Sequence, residues 1–118
     1  MLVVSNQQLR RFEELGRRAN LQAVVELARE VVGAGTVDDA RLVSAATSAL
    51  DRAPEYGLYG LRDVIRLTIL YCGLGERFEN KASWGRVLLL FRDHQRPAWH
   101  RLDEITTILI EAQPELFA

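Results

Sequence analysis

The side chains that most often carry chemistry in proteins are scarce in this sequence and unfavourably spaced. His94 and His100 are six residues apart with a proline between them, so they lack the i, i+4 spacing that places two zinc ligands on one helix face. The single cysteine, Cys72, lies in an apolar run, where a small buried hydrophobe is a simpler interpretation than a nucleophile. The sequence therefore predicts neither a metal site nor a reactive thiol.

Two pairs of neighbouring carboxylates are the remaining candidates for acid–base chemistry. Asp38 and Asp39 form one pair, and Asp103 and Glu104 form the other. Both pairs are predicted in the first turns of helices, where the positive end of the helix dipole accounts for acidic residues. No phosphate-binding glycine loop and no nucleophile elbow accompany them. We therefore expect no enzyme activity and no cofactor.

Size and charge restrict the class of protein further. The chain has 118 residues, 48% of them hydrophobic and 26% charged, which is typical of one globular domain covering residues 1–118. A net charge of −1 disfavours nucleic-acid binding, which normally needs a basic face. No signal peptide is evident, the apolar runs are too short to span a bilayer, and one cysteine cannot form an internal disulfide. We expect a cytoplasmic protein without a membrane or nucleic-acid partner.

Apolar stripes of helical period organise the chain. The stripe from Leu21 to Val32 is predicted to end at Gly33 and Gly35, because glycine readily adopts the left-handed conformation found at helix C-termini. Several alanines on the following stripe predict close packing of that helix on a neighbour. The predicted helix starts are capped, in chain order, by Ser5 (with Gln8 completing a capping box), Thr36 and Asn80, and Pro97 is expected at the first position of the last helix.

The segment from Leu61 to Cys72 is predicted to be a central helix. Polar residues occupy only its first half, and its second half is apolar on every side. Its β-branched residues would also permit a buried strand, but its length and the bounding Gly73 and Gly75 favour a helix. No segment shows strand alternation between hairpin turns. The sequence thus predicts an all-α fold, a compact bundle of five to six helices around this central apolar helix.

Aromatic residues are the best candidates for a binding surface. Tyrosine and tryptophan are frequent at interaction hot spots and equally frequent as core anchors. Trp84 shares its stripe with other apolar residues, which favours the core, whereas Trp99 falls beside the stripe of the last helix. The predicted protein-binding residues are Tyr56, Tyr59, Trp99 and Arg101. The hydrophobic content is also compatible with a homodimer.

One stretch, from Ala53 to Leu90, carries an ordered series of motifs. In chain order they are Tyr56-Gly57-Leu58, Arg62-Asp63-Val64, Gly73-Leu74-Gly75, Phe78-Glu79 and Trp84. This series resembles small helical accessory proteins encoded beside the VgrG and PAAR spike genes of bacterial type VI secretion systems. The chain departs from that pattern at Tyr59-Gly60, where the resembling proteins have a serine or threonine helix cap.

The resemblance implies an accessory role that depends on binding another protein, either a secreted effector or a spike component. One implied function is an effector chaperone or adaptor for the spike, and the alternative is an immunity protein that neutralises a cognate secreted toxin. A charge near zero lends no support to an electrostatically steered toxin inhibitor. A helix-turn-helix regulator is disfavoured, because the helix after Gly57 is too apolar to lie in a DNA groove. A small ligand-binding domain would require a pocket with convergent polar groups.

Overall fold

A computed structural model describes residues 20–33 and 37–112, and this part of the chain contains helices and no strand. Its α-helices are α1 (residues 20–32), α2 (Asp39–Arg52), α3 (Leu61–Leu74), α4 (Gly85–Phe91) and α5 (Ala98–Ala112). Two single-turn 3-10 helices, Phe78–Asn80 and Ala82–Trp84, connect α3 to α4. The all-α prediction is confirmed.

The ends of α1 and α2 follow local signals in the sequence, with one difference at the start of α2. Gly33 terminates α1 as predicted, with a φ of 87° and its N–H donating to the carbonyl of Arg29 at 3.0 Å. The carboxylate of Asp38 accepts the N–H of Arg41 at 2.8 Å and so caps α2. Asp38 rather than Thr36 is therefore the N-cap. Thr36, Gly35 and the capping box predicted at Ser5 lie outside the described residues.

Small side chains bring α2 and α3 together. Ala45, Ala46 and Ala49 of α2 are buried, and among the helices α2 to α5 the pair α2 and α3 makes the most extensive contact. The helix α3 also contacts α5 and contributes Cys72 to the core as a buried thiol. Because Ile69 remains partly exposed, these contacts do not show α3 surrounded on every side.

The connection after α3 differs from the prediction. The helix continues through Gly73 and ends at Gly75, which has a φ of 97° and donates its N–H to the carbonyl of Tyr71 at 3.0 Å. Asn80 closes a 3-10 turn instead of capping a helix, and α4 begins only at Gly85. The physical reason is that the preceding Phe78 and Glu79 are drawn fully into the core, which fixes the chain in tight turns before α4.

The last helix begins directly after Pro97, whose carbonyl accepts the N–H of Arg101 at 3.1 Å. Pro97 therefore precedes the first helical residue, one position earlier than predicted. Asp103 and Glu104 lie beyond the first turn of this helix, so their predicted position in that turn is wrong and the helix dipole does not explain them. They are held instead by side chains, with Asp103 paired to Arg66 at 2.8 Å and Glu104 paired to Arg96. No helix in residues 20–33 and 37–112 is both long and apolar enough to traverse a membrane.

Candidate protein-binding surface

A buried carboxylate holds together the turn after α2 and the connection after α3. Glu79 is 0% exposed, and its Oε1 accepts hydrogen bonds from the hydroxyls of Tyr56 at 2.9 Å and Tyr71 at 2.5 Å. Its Oε2 has no hydrogen-bond partner among the described residues. Three segments that are separate in sequence are thereby fixed to one carboxyl group.

The two hydroxyls act as hydrogen-bond donors to Glu79. Burial raises the pKa of Tyr56 and of Tyr71 well above the ordinary tyrosine value, and the neighbouring Glu79 raises both further. Both phenols therefore keep their protons at physiological pH. The hydrogen bonds of the three side chains fix the turn. Because the side chains are closed to solvent, they are not accessible to a substrate.

A buried guanidinium fixes the same turn from the other side. Arg101 is 3% exposed, and its Nη1 donates to the carbonyls of Tyr56 at 2.8 Å and Phe91 at 2.6 Å. Its Nε donates to the carbonyl of Arg96 at 3.0 Å. The rings of Tyr56 and Phe91 stack with their centroids 4.8 Å apart. Arg101 thus joins the turn after α2 to the end of α4 and the start of α5.

The predicted binding residues separate into two groups. Tyr56 and Arg101 are buried and hold the fold together, so as folded they offer no side-chain surface to a partner. Tyr59 and Trp99 are exposed, by 81% and 59% respectively. Trp99 and Arg101 therefore do not share one exposed surface, because the guanidinium of Arg101 donates to backbone carbonyls in the interior. Spacing along α5 placed Trp99 beside the apolar stripe, and it gave no indication that the charged Arg101 would be buried.

Tyr59 lies at the edge of an open groove of about 610 Å³ between the start of the described part of α1, the end of α2 and the start of α3. The wall formed by the turn after α2 includes Pro54 and Leu58, and Leu21 of α1 also lines the groove. Among the described residues that line it, Asp51 is the only charged one, and it makes no ion pair or hydrogen bond with any described residue. The described lining combines mainly apolar side chains with the polar Asn20 and Thr47, one exposed aromatic side chain and one carboxylate.

A second depression, at the start of α5, is a weaker candidate. It is open and is lined mainly by polar side chains, including Arg96, His100 and Glu104. Arg96 is already paired with Asp93 at 3.3 Å and with Glu104, so its charge is compensated within the chain. The described residues also contain no group of three His, Cys, Asp or Glu side chains that could hold a metal ion. The groove beside Tyr59 is therefore the better candidate.

No protein-family model, curated protein or solved structure matches this chain. The motifs that carry the resemblance described above lie mostly in the core. Tyr56 and Glu79 meet in the buried cluster, Gly75 ends α3, and Trp84 packs edge-on against Phe78 with centroids 6.0 Å apart. These motifs form the scaffold that positions the groove wall. The groove itself was not predicted from the sequence, because three separate segments form it.

Proposed function

We propose that this protein is a protein-binding accessory module of a type VI secretion system and acts as an effector chaperone or adaptor for the spike. The observation that carries the binding role is the groove of mainly apolar lining with the exposed Tyr59 at its edge. Exposed apolar depressions that include an aromatic residue are typical of partner sites. The secretion context is supported by the resemblance of the motifs between Ala53 and Leu90.

The rigidity of one groove wall also favours a binding role. The N–H of Leu58 donates to the carbonyl of Ala53 at 2.8 Å, which closes the turn after α2. Arg101 and Glu79 then hold the backbone and side chain of Tyr56 within that turn. A wall that is ordered before binding loses little conformational entropy when a partner arrives, so more of the contact energy appears as affinity.

Co-expression of the full chain with the proteins encoded by the genes that flank its own tests this proposal. We expect a stoichiometric complex on size-exclusion chromatography with light scattering, and loss of effector secretion when the gene is deleted. A chain that binds none of these proteins would refute the proposal. Protection of a sensitive cell from a co-expressed toxin, with secretion unaffected by the deletion, would instead identify the immunity function.

A further inference from the structure

We infer that the groove beside Tyr59 binds an amphipathic helix of the partner protein, with apolar side chains in the groove and a lysine or arginine against Asp51. This inference rests on the proposed protein-binding function and specifies the chemistry of the partner. It also assigns a role to an exposed carboxylate and an exposed tyrosine that the fold does not use.

Charge gives the first reason. Asp51 is the only charged residue in the described lining, and no described side chain pairs with it. Its neighbour Arg52 is engaged with Glu55 at 2.9 Å, and Glu55 is also paired with Arg92 at 3.4 Å. The lining of the groove therefore presents a single negative charge, which a basic residue beside an apolar stripe would complement.

The secondary structure of the walls gives the second reason. An extended peptide gains affinity by adding to the edge of a sheet, and residues 20–33 and 37–112 contain no strand to extend. The groove is lined by side chains from helix ends and a turn, which suits insertion of residues spaced i, i+3, i+4 and i+7 along a helix. A helix is therefore the partner segment that this surface accepts.

Size and the character of Tyr59 give the third reason. A cavity of about 150 Å³ accommodates one benzene-sized group, so a groove of about 610 Å³ has room for several apolar side chains. Tyr59 adds a large ring with few rotatable bonds and a hydroxyl that remains accessible to a polar partner atom.

Fluorescence anisotropy with designed peptides tests the inference on the full chain. The probes are two labelled amphipathic helices of equal length that share one leucine and phenylalanine stripe and carry either lysine or glutamate beside it. We expect saturable binding with preference for the lysine peptide. Tyr59→Ala should weaken that binding about tenfold, which corresponds to one hot-spot side chain. Asp51→Lys should reverse the preference so that the glutamate peptide binds better.

Matched variants away from the groove provide the controls. Leu89→Ala removes another exposed apolar side chain, and Glu111→Lys reverses another exposed charge, and both should bind like the unaltered protein. Absence of saturable binding, equal affinity for both peptides, or equal effects of the control variants would overturn the inference. Circular dichroism of each variant establishes that it has folded.

A photo-crosslinking phenylalanine analogue in place of Thr47, which lines the groove, identifies the occupant directly. Cross-linking to the lysine peptide supports the inference, whereas cross-linking to residues 1–19 of the same chain or to a second copy would overturn it. The two proposals also fail separately. If the unaltered chain captures a spike or effector protein and Tyr59→Ala and Asp51→Lys capture it equally well, the proposed function stands and the groove assignment falls.

Discussion

Removing the hydroxyl of Tyr71 should destabilise the protein through a single buried hydrogen bond. In Tyr71→Phe the ring is retained, so its edge-on contact with Phe78, at 6.0 Å between centroids, is preserved. The change removes the shorter of the two hydrogen bonds to Glu79, at 2.5 Å, and leaves the bond from Tyr56. A hydrogen bond to a charged group is worth about 1.5–3 kcal/mol. We expect the free energy of unfolding to fall by that amount.

Urea unfolding followed by far-ultraviolet circular dichroism measures this loss. Tyr59→Phe is the matched control, because it deletes the same hydroxyl from an exposed ring and should change stability by less than about 0.5 kcal/mol. A double-mutant cycle with Glu79→Gln isolates the contribution of the charge. In that background the acceptor is a neutral amide, so the cost of Tyr71→Phe should fall to about 0.5–1.5 kcal/mol.

Two results would refute this reasoning. A loss below about 0.5 kcal/mol for Tyr71→Phe, comparable with the exposed control, would mean that the bond contributes nothing to stability. An equal loss with and without the Glu79→Gln substitution would mean that the charge of the acceptor does not strengthen the bond. Either result would also weaken the conclusion that this cluster fixes the turn that forms the groove wall.

Three further predictions concern the same scaffold. Burial raises the folded-state pKa of the two buried tyrosines, so the unfolded chain loses phenolic protons first as pH rises past about 10. The free energy of unfolding should therefore fall above that pH. The urea midpoint should fall less steeply with pH when both tyrosines are replaced by phenylalanine. Arg101→Met leaves two buried carbonyls without their donor and should lower the free energy of unfolding by at least about 2 kcal/mol. Arg86→Met, at an exposed position, should be nearly neutral, and thermal unfolding measures both. Gly57→Ala should destabilise the protein by about 1–2 kcal/mol, because φ is 68° and a Cβ would lie 2.9 Å from Nδ1 of His94. A Cβ at Gly73 in α3 meets nothing within 4 Å, so Gly73→Ala should stabilise the protein by up to about 1 kcal/mol. A loss of stability in Gly73→Ala as large as that in Gly57→Ala would contradict the conformational argument.

The sequence by itself determined the class of fold and several helix ends. Helical stripes and C-terminal glycines are local signals, because a helix is specified by residues within a few turns of one another. Gly33 adopts the left-handed conformation that ends α1, and it does so without help from distant residues. The packing of α2 through alanines and the burial of Cys72 followed from the same patterns. Competition between nearby signals was harder to judge, because Thr36 and Asp38 are both good caps and only Asp38 accepts the N–H of Arg41.

Only the tertiary structure decided which charged residues are buried and where the candidate site lies. The sequence alone would place Glu79 and Arg101 on the surface, because burying a charge is unfavourable unless hydrogen-bond partners compensate for the lost water. Their partners come from distant segments, the hydroxyls of Tyr56 and Tyr71 for Glu79 and two carbonyls for Arg101. The groove likewise exists only where three segments converge beside Tyr59. Local spacing reveals a helix face, but a site built by several elements depends on how those faces are brought together.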